Sequence, residues 1–439
     1  MGKCVDLKIS PDGRFIIKKD GSPFFWLGDT AWELFHRLNR EEAVEYLTTR
    51  ALQEFTVIQA VALSEFEGLN AANAYGRIPL LKNQDGSFDP ELPDESGGYN
   101  YWEHMDFIID TACSLGLYIG LLPTWGDKFN MKWGKGPEIF TPENAYAYGK
   151  WIGERYKNRD NIIWIMGGDR PIETETHKLI VRNIAAGIKE VTDGRHLMTY
   201  HPSGFSSSSQ YVHDEKWLDL NMIQSGHGGV NIKNYEFIQK DRALNPVKPT
   251  LDGEPRYEDH PVDFNAKNGY FDDYDVRVAA YWATLSGACG HTYGHHQIWS
   301  MNTQKTEYFP MNWREAIHRP GAEQMKYVKE LLLSRNFLEL TPCQDLINGN
   351  YEGANYMPAA RGQKYAFIYI PNGLDVKINM GILRGDYVSA FWYNPRNGTY
   401  TFAGAEKNEG IVTFIPPSGG RNNDWVLLLD SLESFGTAF

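Results

Sequence analysis

Residues 161–169 read NIIWIMGGD, an unbroken apolar run from Ile162 to Met166 that ends in two glycines and Asp169. A strand with one wet face alternates apolar and polar residues. A strand covered on both faces runs apolar without a break, as strands of a parallel sheet do. The same design recurs at 23–32 (PFFWLGDTAW), 55–63 (FTVIQAVAL), 115–127 (LGLYIGLLPTWGD), 196–204 (HLMTYHPSG), 220–228 (LNMIQSGHG), 248–258 (KPTLDGEPRYE) and 287–299 (GACGHTYGHHQIW). Helix-like stretches separate the runs at 40–52, 101–114, 142–158, 177–191 and 273–286. Thr141 before Pro142-Glu143 reads as an N-cap, and Leu179, Ile180, Ile184, Ile188 and Val191 follow a period near 3.6. Eight strands alternating with helices predict an α/β fold of the (β/α)8 barrel type. An open doubly wound sheet is the alternative. No run is followed by GxGxxG or GxxxxGK, so a nucleotide-binding version has no support.

Outward from this core the pattern changes twice. Upstream, residues 9–29 read as a hairpin, with turn signals at Pro11-Asp12-Gly13 and Asp20-Gly21 around Phe15-Ile16-Ile17. Downstream, the helical period ends after 321–333 (GAEQMKYVKELLL). Short β-rich runs follow at 365–370, 376–380, 387–393, 399–402, 411–415 and 425–429, parted by PNG at 371–373, NPRNG at 394–398 and PPSGG at 416–420. The division expected is a barrel at 1–340 and an all-β sandwich at 341–439.

Composition narrows the function. The 43 basic and 56 acidic residues among 439 give a net charge of −13, which disfavours a nucleic-acid partner. Four scattered cysteines, with no CxxC, argue against a disulfide scaffold and a thiolate zinc site. The apolar runs are too short for a membrane span. MGKCVDLKIS has no apolar signal core. The chain as written is therefore read as cytoplasmic, or as periplasmic or secreted with its export signal removed. The 13 Trp, 25 Tyr and 22 Phe are a surplus that fits either a large core or a cleft where sugar faces stack on rings.

Barrel active sites lie where the strands end. The runs end in Asp29, Thr30 and Trp32; Ser64 and Glu65; Trp125 and Asp127; Asp169; Tyr200 and His201; Gln224 and His227; Glu254 and Tyr257; His295 and Trp299. Asp169 on the fourth strand and Glu254 on the seventh face each other across a barrel mouth. Glycoside hydrolysis needs two carboxyl groups flanking one bond, one to protonate the leaving oxygen and one to attack or to activate water. A carboxylate at a strand end is also a common cap or salt-bridge partner. Asp29, Glu65, Asp127 and Asp252 are rivals for the acid role. Asp252 lies one layer deeper on the strand of Glu254, bonded to barrel residues. Trp32, Trp125, Tyr257 and Trp299 are the stacking candidates, and His201, Gln224 and His295 the hydroxyl partners. Asp29 is a further sugar binder, with a structural acceptor as its alternative. Arg170, Arg256 and Lys128 are either cations for an acidic substrate or buttresses for the carboxylates. His291, His295 and His296 form no metal-ligand spacing, so no metal or cofactor is expected. No GxSxG motif occurs, and Cys289 reads as a buried apolar filler.

WLGDTAWELFHRL at 26–38, IIWIMGGDRP at 162–171 and PTLDGEPRYE at 249–258 together resemble the apiosidase-like proteins with a DUF4038-type catalytic barrel, glycoside hydrolase family 140. The β-rich tail resembles the module that follows that barrel and carries a collagen-binding label; collagen binding is not inferred from the label. The resemblance implies a retaining barrel glycosidase on branched pectin, with apiose as the sugar recognised, Asp169 as acid/base and Glu254 as nucleophile. The wider group of barrel glycosidases has Asn-Glu at the fourth strand end. Gly168-Asp169 stands here instead, and an acid one methylene shorter needs the closer backbone approach that glycines permit. A retaining pair is expected about 5–5.5 Å apart. The other readings are a barrel glycosidase on a β-glucan or mannan, and a carbohydrate-binding protein that has lost its chemistry.

Overall fold

The computed structural model describes residues 4–432; the outer ends of the two expected domains, 1–3 and 433–439, lie outside the described residues. All eight apolar runs are strands: β1 (Trp26–Thr30), β2 (Val57–Val61), β3 (Tyr118–Leu122), β4 (Ile162–Gly167), β5 (Met198–His201), β6 (Asn221–Gln224), β7 (Thr250–Asp252) and β8 (Gly290–Tyr293). Every residue in them is buried, which is why the runs are apolar without alternation. Parallel ladders link them in the order β5-β4-β3-β2-β1-β8-β7-β6. The ring closes between β5 and β6, where the Asp219 N–H donates to the Met198 carbonyl at 2.8 Å and the Thr199 hydroxyl to the Leu220 carbonyl at 2.7 Å. A short ninth strand, Ser206–Ser207, pairs antiparallel with β6.

The outer helices start where their caps dictate. Asn39, Asn100, Thr141 and Asp272 each close a capping box at the heads of Arg40–Leu52, Tyr101–Ser114, Pro142–Tyr156 and Asp273–Leu285. Two places depart from the sequence reading. Asn234–Arg242, after β6, is a helix whose short NYEFIQKDR has too few buried apolar side chains, Tyr235 and Ile238, to show a hydrophobic period. After β5 the helix is one turn, Ser209–Val212, preceded by three serines. The N-terminal hairpin is a three-stranded meander, Leu7–Ile9, Ile16–Lys18 and Pro23–Phe24, because the turn at Asp20-Gly21 returns the chain once more.

Beyond residue 340 a six-stranded antiparallel sheet faces a two-stranded one, Val376–Asn379 with Ile411–Phe414. Its strand Tyr365–Ile370 is buried on both faces. Ala366, Ile368 and Ile370 point into the sandwich core, while Tyr365, Phe367 and Tyr369 join the core of the barrel. Tyr369 stacks on Tyr281 of helix Asp273–Leu285 at 4.6 Å. The seam is clamped by Arg277 and Asp424, both fully buried, through two hydrogen bonds of 3.0 Å.

Candidate active site

The C-terminal ends of the strands surround a cavity of about 580 Å³. Asp169 and Glu254 both line it, with Glu65, Gln224, His227 and Tyr257. Its walls are aromatic: Trp32, Trp125, Trp133, Phe66, Trp299 and Tyr308. Trp32 and Trp125 lie 5.1 Å apart, and Phe66 and Trp299 5.2 Å.

Local backbone sets each carboxylate. After β4 the chain leaves the sheet through Gly168 at φ +123° and Asp169 at φ +49°. A Cβ on Gly168 would meet the Gly126 nitrogen at 2.9 Å, so the bare backbone is what lets this turn press against the β3 loop. The Asp169 N–H points at Nδ1 of His201 at 3.3 Å. The same Nδ1 lies 3.0 Å from the Pro202 carbonyl, and Nε2 lies 3.0 Å from Glu254 Oε2. One imidazole thus spans the acid's backbone and the opposite carboxylate. His227 Nε2 lies 3.2 Å from the other oxygen, Oε1.

The two carboxyl groups are shifted in opposite directions. Burial pushes Asp169 up, the Glu254 charge pushes it further, and Arg170 and Trp133 oppose only in part, so Asp169 lies above the usual aspartate value. Burial also penalises the charged form of Glu254, but the hydrogen bonds and charges of His201 and His227 outweigh it and draw Glu254 down to about 2. Trp133 Nε1 donates to Asp169 Oδ2 at 3.0 Å. Arg170 reaches the same oxygen at 3.1 Å and Glu65 Oε1 at 2.8 Å. Burial raises Glu65 to about 7, against the pull of Arg170.

A family model described as "Apiosidase-like, catalytic domain" matches residues 10–339. The chain belongs to the apiosidase-like family. A second model, "Putative collagen-binding domain of a collagenase", matches 341–430. A solved structure titled "Glycoside hydrolase" is 33% identical over 98% of this chain and 97% of that one, with a TM-score of 0.87. A glycoside hydrolase family 5 structure from Bacteroides vulgatus is 32% identical, covering 98% and 94%, at 0.89. The endo-1,4-beta-mannanase of Rhizomucor miehei, 12% identical over 75% of this chain and 100% of its own at 0.52, shares the fold. No curated protein matched the sequence. Family and fold together make this apiosidase-like chain a barrel glycoside hydrolase.

Of the residues singled out from sequence, the apiosidase-like barrel brings Asp169, Glu254, Trp32, Trp125, Gln224, Tyr257 and Trp299 to the cavity, and sets His201 behind Glu254. It does not bring Asp29 or His295 there. Asp29 lies on the outer face of β1, fully buried, with Arg50 Nε at 2.6 Å and the Tyr46 hydroxyl at 2.5 Å, so it ties β1 to helix Arg40–Leu52. His295 is buried against Asp259 at 3.1 Å. Asp252 accepts from Ser225 at 2.6 Å and Asn234 at 3.0 Å. Asp127 pairs with Lys128 at 2.7 Å and accepts the amides of Lys135 and Gly136, which folds the loop that carries Trp133. Arg256 donates to the Val230 carbonyl and faces Trp282. Among the described residues no cluster of three or more His, Cys, Asp or Glu is placed to hold a metal ion. Trp133, Phe66 and Tyr308 escaped the sequence reading because they ride on long loops, where no period marks them.

Proposed function

We propose that this glycoside hydrolase is retaining, that Asp169 is its acid/base and Glu254 its nucleophile, and that its target is an apiosyl linkage in a branched pectin side chain. The observation that carries the reading is one aromatic-walled cavity lined by two carboxyl groups, one pushed above its usual value and one drawn below it. Asp169 gives its proton to the glycosidic oxygen as Glu254 Oε attacks the anomeric carbon. The leaving sugar departs with that proton, and a glycosyl ester on Glu254 remains. Asp169, now a carboxylate, takes a proton from water, the water oxygen attacks the anomeric carbon, and Glu254 leaves as the free carboxylate. His201 and His227 hold Glu254 ionised and aimed, and aromatic faces suit the C–H faces of a sugar.

The division at residue 340 belongs to the same proposal. The sandwich acts as a brace, not as a sugar-binding module, since one face of its sheet is consumed in the barrel seam. The substrate is tested by chromatography of products. Release of apiose from branched pectin fragments, with none from β-glucan or mannan, supports the apiosyl reading. Products from glucan or mannan alone place the enzyme with the other barrel glycosidases, and products from none favour a binding protein.

A further inference from the structure

Two of the rings that line the cavity stand at its rim on strained backbone. Phe205, in the loop after β5, has φ +58° and is 54% exposed; Phe264, in the loop after β7, has φ +57° and is 61% exposed. A bulky side chain rarely takes the left-handed region, and a ring left in water gains little burial to offset the strain. Among the described residues one other aromatic residue has a positive φ, Tyr99. Its ring packs on Tyr75 at 4.8 Å and its hydroxyl lies 2.9 Å from His104 Nδ1, so local packing accounts for it. The loop after β6 sets the two phenylalanines. Phe205 lies on the bare backbone of Gly228, where a Cβ would collide with the ring. Phe264 stands edge-on to His260 at 4.8 Å and to His227 at 5.9 Å, and the Asp263 N–H just before it donates to the His227 carbonyl at 2.9 Å. Both rings are thus fixed in direction while more than half of each residue stays open.

We infer that Phe205 and Phe264 form an outer sugar subsite, a platform for a residue of the glycan beyond the two that flank the scissile bond. The inference rests on the reading that Asp169 and Glu254 form the hydrolytic site. Glu254 is buried at the cavity floor, 6% exposed, so the sugars joined by the scissile bond fill the inner space and the next residue along the glycan meets the rim. Phenylalanine carries no polar atom. The platform therefore stacks on sugar C–H faces, reads no hydroxyl, and favours longer substrates over short ones whatever the outer sugar is. Strain kept at two exposed rings is stability given up for binding.

The test compares the wild type with a double variant, Phe205→Asn with Phe264→Asn. Asparagine tolerates left-handed backbone, so the variant should fold with a Tm equal to or above that of the wild type. Both proteins are assayed on branched pectin oligosaccharides and on the para-nitrophenyl glycoside of apiose, which has no outer sugar. In the variant kcat/KM on the oligosaccharides should fall about tenfold, while that on the glycoside should stay within about twofold. An equal loss on both substrates, or no loss on the oligosaccharides, overturns the inference. Where the wild type leaves either substrate uncut, the platform is decided by electrophoresis in gels that hold pectin, β-glucan or mannan; cutting neither also removes the pectin reading. Retardation of the wild type that is lost in the variant supports the platform, and any other pattern overturns it.

Discussion

Two sets of buried charge divide the molecule. At the seam, Asp424 is met by Arg277 through two hydrogen bonds of 3.0 Å and by the Tyr369 hydroxyl at 3.0 Å, so a full positive charge answers a full negative one. At the mouth, Glu254 is answered by two imidazoles, while Asp169 faces that glutamate across the cavity with only part of Arg170 to offset it. The seam spends its charges on holding barrel and sandwich together. The mouth pushes one carboxyl group above its usual value and draws the other below it, an arrangement that suits moving a proton and an electron pair.

Substitutions on either side should separate these two uses. The largest effect is expected from Glu254→Gln, which removes the nucleophile: kcat/KM should fall by about 10⁴-fold or more. Gln fills the same space and its amide oxygen can accept from an imidazole, so Tm should fall by no more than about 4 °C. Asp424→Asn should do the reverse. Leaving Arg277 short of its partner should cost about 3 kcal/mol in urea denaturation, with kcat/KM within twofold of wild type. A variant at either place that moved both readouts together would erase the distinction.

A smaller change should sharpen it. Trp133→Phe removes the indole N–H that lowers Asp169, so the Asp169 value should rise further. Activity depends on the protonated form of Asp169 and is lost as pH rises through its value. The alkaline limb of kcat/KM should therefore move to higher pH in the variant, with a loss of about threefold to tenfold at the optimum. Glu254, at about 2, should impose no acid limb above pH 3 in either protein. A limb that moved to lower pH would show that Trp133 does not act through Asp169.

Much of this organisation was legible in the sequence, for physical reasons. Strands covered on both faces run apolar, so β1 to β8 announced themselves, and Thr141 marked a helix start by its capping chemistry. Helix Asn234–Arg242 was not legible, because two buried apolar side chains make no period. Asp169 and Glu254 could be named because they end strands. Asp29 ends one too, yet strand alternation turns it outward to Arg50. Position along a strand was readable, and its facing was not. Trp133 depends on a loop folded by Asp127, a tertiary event that no local pattern encodes.

The most direct test of the account is the anomeric configuration of the first product, followed by ¹H NMR before mutarotation. Double displacement through Glu254 predicts that the sugar first appears with the configuration it had in the substrate. First appearance of the opposite anomer would show that Glu254 activates water in a single displacement, and would contradict its role as nucleophile.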